Sequence, residues 1–222
     1  MSQAESARHF YDRISGVYDA LADGSEHEAR ELGLRLLAPS GSERVLEIGC
    51  GTGVALVEIA GRLADGGKVL GIDVSPGMLR VAGQRIRDAG LETRVELRLA
   101  DAKELPCESG SMDAAFASFT LELFPREEIS VVLAELLRVL RPGGRLGVVS
   151  MFDDGRPSAM VDFYRFLHRH FPHIVDCQPI DAAAWLERAG FEIRARDTLS
   201  LWGLSVLAAV GHRPAGGEAA AG

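Results

Sequence analysis

Three cysteines in 222 residues, at positions 50, 107 and 177, are too few, too scattered and odd in number for a disulfide framework. No Cys-x-x-Cys pair opens a zinc ribbon, so all three read as reduced thiols. Basic residues are in deficit as well: 24 Lys and Arg against 32 Asp and Glu leave a formal charge of −8. A phosphate backbone is gripped through a concentrated basic patch, so this balance argues against a nucleic-acid partner. Long apolar runs are also missing. No stretch approaches the roughly 18 uninterrupted apolar residues of a membrane span, and the opening MSQAESARHF lacks the apolar core of a secretory signal. A cytoplasmic location is the expectation.

What is present is a globular composition, 47% hydrophobic and 25% charged, with length enough to bury one substantial core. A single domain is predicted over residues 1–213. Residues 1–40 would form an N-terminal helical lid and residues 152–180 a helical cap over a substrate. The tail 214–222, PAGGEAAAG, is too poor in apolar surface to order itself. Between Glu43 and Val210, short β-rich runs alternate with amphipathic stretches, the pattern of an α/β protein whose mostly parallel sheet carries helices on both faces. The strands are expected at 44–48, 68–72, 94–100, 112–118 and 145–150, with two more near 191–198 and 204–211 joined by a short turn. One helix is read over Arg126 to Leu140 from its 3.6-residue apolar period, stopped by Pro142-Gly143-Gly144.

The first strand runs straight into GCGTG and then into a helical stretch. Gly49, Gly51 and Gly53 supply positions where a backbone can take positive φ or approach a ligand closely. The spacing does not complete a dinucleotide fingerprint: the small residue required three positions beyond the second glycine is replaced by Val54 or Leu56, depending on the count. Asp73 ends the second strand about twenty residues on, where a carboxylate accepts ribose hydroxyls. Asp101 ends the third strand on the same rim and can accept from an adenine amine. A ribose and an adenine without a pyrophosphate describe an adenosine pocket.

These segments resemble a known family. VLEIGCGTG, GIDVSPGML, LADAKELPCESGSMD, SFTLELF and LLRVLRPGGRL are similar to the successive motifs of class I methyltransferases, in particular the ubiquinone and menaquinone biosynthesis C-methyltransferases. The resemblance implies S-adenosyl-L-methionine as cofactor and a Rossmann-like seven-stranded sheet of order 3-2-1-4-5-7-6 with strand 7 antiparallel. It further implies that Glu47, Gly49 and Gly51 line the methionine end of the cofactor and that Gly53 completes the turn. Asp73 and Val74 would meet the ribose side, Met78 the adenine ring, and Asp101 and Ala102 the adenine edge. Ser118 to Leu121 would lie beneath the sulfonium. HFYDRISGVYDAL is similar to the family's opening segment, in which tyrosines close over the cofactor, here Tyr11 and Tyr18. The quinone enzymes carry an Asn and a Tyr-containing stretch after strand four, where this chain has Thr120, Glu122 and Phe124.

The acceptor is expected to be a small molecule. Displacement at a sulfonium methyl needs mainly alignment of donor and nucleophile, and a base helps when the acceptor must lose a proton. Glu122, His168 and His170 are the candidate catalytic groups; Tyr164, Phe171 and His173 lie in the same cap segment. The spacing of His168, His170 and His173 lacks the companion ligands of a recognised zinc site, and no metal is expected. Phe116, Phe119, Phe124, Phe152, Phe163 and Phe166 favour an apolar or aromatic acceptor such as a quinol, a phenol or a secondary metabolite. Three alternatives stay open: an N-methyltransferase of amines or phospholipid head groups, a non-catalytic cofactor-binding protein, and a nicotinamide oxidoreductase. A homodimer is compatible with the chain, and transient contact with a membrane surface would follow from a lipid acceptor.

Overall fold

A computed structural model describes residues 26–152, 179–201 and 204–215. Helix α1 occupies residues 26–37 of the described chain. Then come β1 (Arg44–Ile48), α2 (Val54–Arg62), β2 (Lys68–Asp73), α3 (Pro76–Asp88), β3 (Val95–Leu99) and β4 (Met112–Ser118). A 3-10 turn at Leu121–Leu123 leads to α4 (Arg126–Val139), β5 (Leu140–Phe152), α5 (Ala182–Arg188), β6 (Glu192–Leu201) and β7 (Leu204–His212).

The seven strands form one sheet of order β3-β2-β1-β4-β5-β7-β6. β1 to β5 pair in parallel, and β7 runs antiparallel to both neighbours. The expected order and the reversed last strand are therefore observed. Central strands covered on both faces are buried along their length, as in β1 after Arg44 and in the apolar AAFA core of β4. One face packs Ile48, Ala117 and Val148 against α4 and α5. The other packs Val45, Phe116 and Val149 against Leu34 and Leu37 of α1 and Leu56 and Ile59 of α2.

Local chemistry sets the helix ends. Ser75 caps α3, its hydroxyl accepting from Met78 N–H at 3.2 Å, with Pro76 at the first helical position. Asp181 caps α5 through Ala184 N–H at 3.0 Å. The orphan carbonyls ending α1 are taken by a side chain from far along the chain: Arg145 donates to Leu37 O at 2.6 Å and Ala38 O at 2.9 Å.

One boundary differs from expectation. α4 ends at Val139, and β5 begins at Leu140, so Pro142-Gly143-Gly144 lies inside the strand instead of marking a break before it. Leu140 pairs with Met112, and the register slips before Ala114 resumes opposite Arg145. Arg213 holds the irregular stretch, accepting from Gly143 N–H at 3.0 Å and donating to Gly144 O at 2.8 Å. A Cβ at Gly144 would lie 2.8 Å from Arg141 O, so the bulge requires glycine there. Among the described residues no helix is long and apolar enough to cross a membrane.

Candidate cofactor and acceptor site

The carboxyl ends of β1, β2 and β4 adjoin the glycine turn. Gly49, Gly51 and Gly53 take φ of 60°, 51° and 81°. At Gly49 a Cβ would lie 2.5 Å from Thr120 Cγ2, so this position is closed to any side chain on both counts. At Gly51 no atom lies within 4 Å of the Cβ position, leaving the backbone open on that side. Gly51 N–H donates to Asp73 Oδ2 at 2.9 Å, while Ser75 N–H donates to Asp73 Oδ1 at 2.8 Å. Asp73 thus ties the turn after β1 to the start of α3. Arg85 of α3 donates to Thr52 O, fastening the turn from the other side.

The remaining rim residues are distributed as follows. Val74 is exposed and Met78 is buried in the first turn of α3. Asp101 is exposed, with Oδ1 accepting from Lys103 N–H at 2.9 Å and Oδ2 lying 3.7 Å from Lys103 Nζ. Ala102 is buried in the core. Ala100 N–H donates to Asp73 O at 3.1 Å, which sets the end of β3 against the end of β2. Ser118 is half-buried at the end of β4, its carbonyl accepting from Thr120 Oγ1 at 2.9 Å. Leu121 and Phe116 are fully buried and serve the core. Phe119, Phe124 and Phe152 are half-buried. Tyr11, Tyr18, Phe163, Tyr164, Phe166, His168, His170, Phe171 and His173 lie outside the described residues.

Two buried carboxyl groups stand at this end of the sheet. Glu47 is 3% exposed, and its Oε2 has no hydrogen-bond partner. Burial pushes its pKa well above the usual carboxylate range; Arg30 opposes the shift, and Glu58 and Asp73 add to it. Arg30 is held beside it by Glu58, at 3.0 Å and 3.2 Å. Glu122 follows the point where β4 leaves the sheet. Phe119 takes φ of 49° and makes the last ladder bond to Val149 O at 2.8 Å before the chain turns into the 3-10 helix. The next free donor on that side of β5, Met151 N–H, is accepted by Glu122 Oε1 at 3.0 Å. The side chain takes over where the strand stops. Its Oε2 has no partner, and burial raises its pKa to about 8, against the lowering influence of its backbone contacts.

The geometry is therefore a glycine turn with one open face, a carboxylate welded beneath it, and a buried acid with unmet hydrogen-bonding capacity behind it. Residues 45–144 match the family model for a methyltransferase domain. Demethylmenaquinone methyltransferase of Clavibacter sepedonicus is 33% identical over 201 residues, 86% of this chain and 78% of that enzyme. The chain belongs to the class I S-adenosylmethionine-dependent methyltransferases. Nocamycin O-methyltransferase of Saccharothrix syringae is 37% identical over 139 residues; that match spans 62% of this chain and about half, 48%, of the relative. In structure, the [4+2]-cyclase SpnF is similar with a TM-score of 0.75 at 21% identity, covering 95% of this chain and 97% of that one. A cyclase on the same scaffold makes plain that the fold alone does not set the reaction.

For a methyltransferase of this class the residues present suit the cofactor. The unpartnered Glu47 Oε2 is an acceptor suited to an ammonium group, and the open face of Gly51 admits a close ligand. Asp73, at the end of β2 beside the turn, is a carboxylate of the kind that accepts from a pair of hydroxyls. Sequence reasoning passed over Arg30, Arg85 and Ser150 and mentioned Thr120 only in passing. Each acts through a partner more than 20 residues away or through the absence of one, and no local pattern announces either.

Proposed function

We propose that this methyltransferase acts on a small apolar or aromatic acceptor, a quinol, phenol or related secondary metabolite. The observation that carries the reading is Glu122: a buried acid at the strand rim, one oxygen held by Met151 N–H and the other unpartnered, with a pKa near 8. S-adenosylmethionine, when bound, supplies an activated methyl group. Glu47, Gly49, Gly51, Gly53, Asp73, Val74, Met78, Asp101, Ala102 and Ser118 are the positions that would hold it, with Tyr11 and Tyr18 closing over it. Glu122 Oε2 would take the proton of the acceptor's hydroxyl, leaving the O–H electrons on the acceptor to form the bond to that methyl group, whose bond to sulfur would break with its electrons passing to sulfur to leave S-adenosylhomocysteine.

His168 and His170 are the other candidate bases. A pH profile of turnover separates them, since a histidine places the ascending limb near its unperturbed pKa of about 6.5, whereas Glu122 places it near 8. The test of the whole reading is calorimetric titration with S-adenosylhomocysteine beside NADH, followed by methyl transfer to phenols, hydroquinones and amines. Binding of S-adenosylhomocysteine alone and turnover of the hydroxylated rings are expected. Preference for NADH makes the chain an oxidoreductase; binding without transfer to any acceptor makes it a regulator; turnover of amines alone overturns the acceptor class.

A further inference from the structure

Four buried side-chain atoms among the described residues have no hydrogen-bond partner: Glu47 Oε2, Arg94 Nε, Glu122 Oε2 and Ser150 Oγ. Each such group is costly to leave unmet, and native proteins keep few without a reason. Three of the four gather at the carboxyl ends of β1, β4 and β5, which are neighbours at the centre of the sheet. Glu47 is explained by the cofactor. Ser150 and the second oxygen of Glu122 are not.

These two are close together by construction. The N–H that Glu122 Oε1 accepts belongs to Met151, and that nitrogen is bonded to the carbonyl carbon of Ser150. The unmet carboxyl oxygen and the unmet hydroxyl therefore flank one peptide bond. The same residue anchors the return of the chain, because Ile180 N–H donates to Met151 O at 2.9 Å. One side chain offers an acceptor and the other a donor, and half-buried Phe124 and Phe152 pack against the core cluster that holds their chain neighbours Leu121 and Val148.

We propose, on the basis of the methyltransferase reading, that Ser150 and Glu122 form the polar end of the acceptor site and specify a substrate bearing a free hydroxyl. The substrate hydroxyl donates to Glu122 Oε2 and accepts from Ser150 Oγ–H. An aryl ether can satisfy only the serine, and an unsubstituted ring satisfies neither. Sites built around buried hydrogen-bonding groups reject analogues that leave them unpaired far more strongly than apolar pockets reject a missing methylene.

The test uses the full chain loaded with S-adenosylhomocysteine and two probes, 1,4-dihydroxynaphthalene kept reduced and 1,4-dimethoxynaphthalene, titrated calorimetrically above pH 8, where Glu122 is ionised and Oε2 can only accept. Wild type should bind the diol at least about tenfold more tightly than the diether, the equivalent of one satisfied hydrogen bond. In Ser150→Ala the preference should fall to about threefold or less, with the S-adenosylhomocysteine Kd unchanged, and Glu122→Gln should also narrow it. Melting of the ligand-free Ser150→Ala protein supplies the second readout: deleting an unpartnered buried hydroxyl leaves Tm equal or higher, whereas loss of a structural hydrogen bond lowers it. Equal binding of the two probes by wild type, no binding of the diol, an undiminished preference in Ser150→Ala, or a lowered Tm overturns the inference while S-adenosylhomocysteine still binds. Failure of wild type to bind S-adenosylhomocysteine overturns the methyltransferase reading along with it.

Discussion

The two ends of the sheet are built on opposite terms. At the amino end, polar groups are laced together by long basic side chains. Arg145 grips both oxygens of Glu43 at 2.9 Å as well as the carbonyls ending α1. Asp113 accepts from Arg44 N–H at 2.8 Å and from Arg141 Nε at 2.6 Å. Lys68 donates to Thr93 O at 2.7 Å, and Arg94 donates to the carbonyls of Leu63 and Ala64. At the carboxyl end, unpartnered buried oxygens accumulate instead. The amino end secures the fold; the carboxyl end holds hydrogen-bonding capacity in reserve for ligands.

Acid and base should separate the two ends. Burial alone would raise the carboxyls of Glu43 and Asp113. For Glu43 the hydrogen bond from Arg145, and for Asp113 those from Arg44 N–H and Arg141, outweigh it, so both pKa values end below the usual range. Their stabilisation is complete at neutral pH and is lost as pH falls through the lowered folded values. Glu122 has the opposite sign. Its folded pKa of about 8 exceeds the ordinary 4.5, so the unfolded chain releases this proton first and stability declines as pH rises between those values.

The largest expected break is at Glu122. Glu122→Gln keeps an oxygen for Met151 N–H but cannot accept the substrate proton, so kcat should fall about 10³-fold and lose its ascending limb near pH 8. The same variant should gain stability over wild type as pH rises above 5, measured by denaturant titration across pH; a parallel pH dependence would refute the buried-acid assignment. Next is Gly49→Ala. With φ at 60° and Thr120 Cγ2 2.5 Å from the new Cβ, S-adenosylhomocysteine affinity should drop about 100-fold, with a lower Tm, on the strain expected of a forced positive φ and overpacking.

Arg145→Ala sharpens the comparison from the other end. It should cost about 2–3 kcal/mol of unfolding free energy, since four hydrogen bonds and a half-buried ion pair are lost, yet leave the S-adenosylhomocysteine Kd within about twofold. A matching loss of affinity would show that the two ends are coupled. The smallest effect is expected from Asp73→Asn, which retains an acceptor for one of the two backbone donors: about a tenfold loss of S-adenosylhomocysteine affinity by calorimetry, the worth of one charge-assisted bond.

Much of this was legible in the chain because the relevant signals are local. Periodicity located every strand, and the three glycines announced a turn of positive φ. The Pro-Gly-Gly stretch misled for a physical reason: residues that normally end a helix were accommodated inside β5 by Arg213, a partner about 70 residues away. Glu122 was recognisable as a carboxylate near the rim, but its environment was not. Its capture of Met151 N–H depends on β4 turning away at Phe119 while β5 continues.

The amino-acid sequence alone determined the order of elements, the glycine turn with its acidic strand ends, and the family, because hydrophobic period and backbone permissiveness are properties of neighbouring residues. Only the tertiary structure decided which buried polar groups would go without partners. Satisfaction of a hydrogen bond depends on what arrives from elsewhere in the chain, and at Glu47 Oε2, Glu122 Oε2 and Ser150 Oγ nothing arrives.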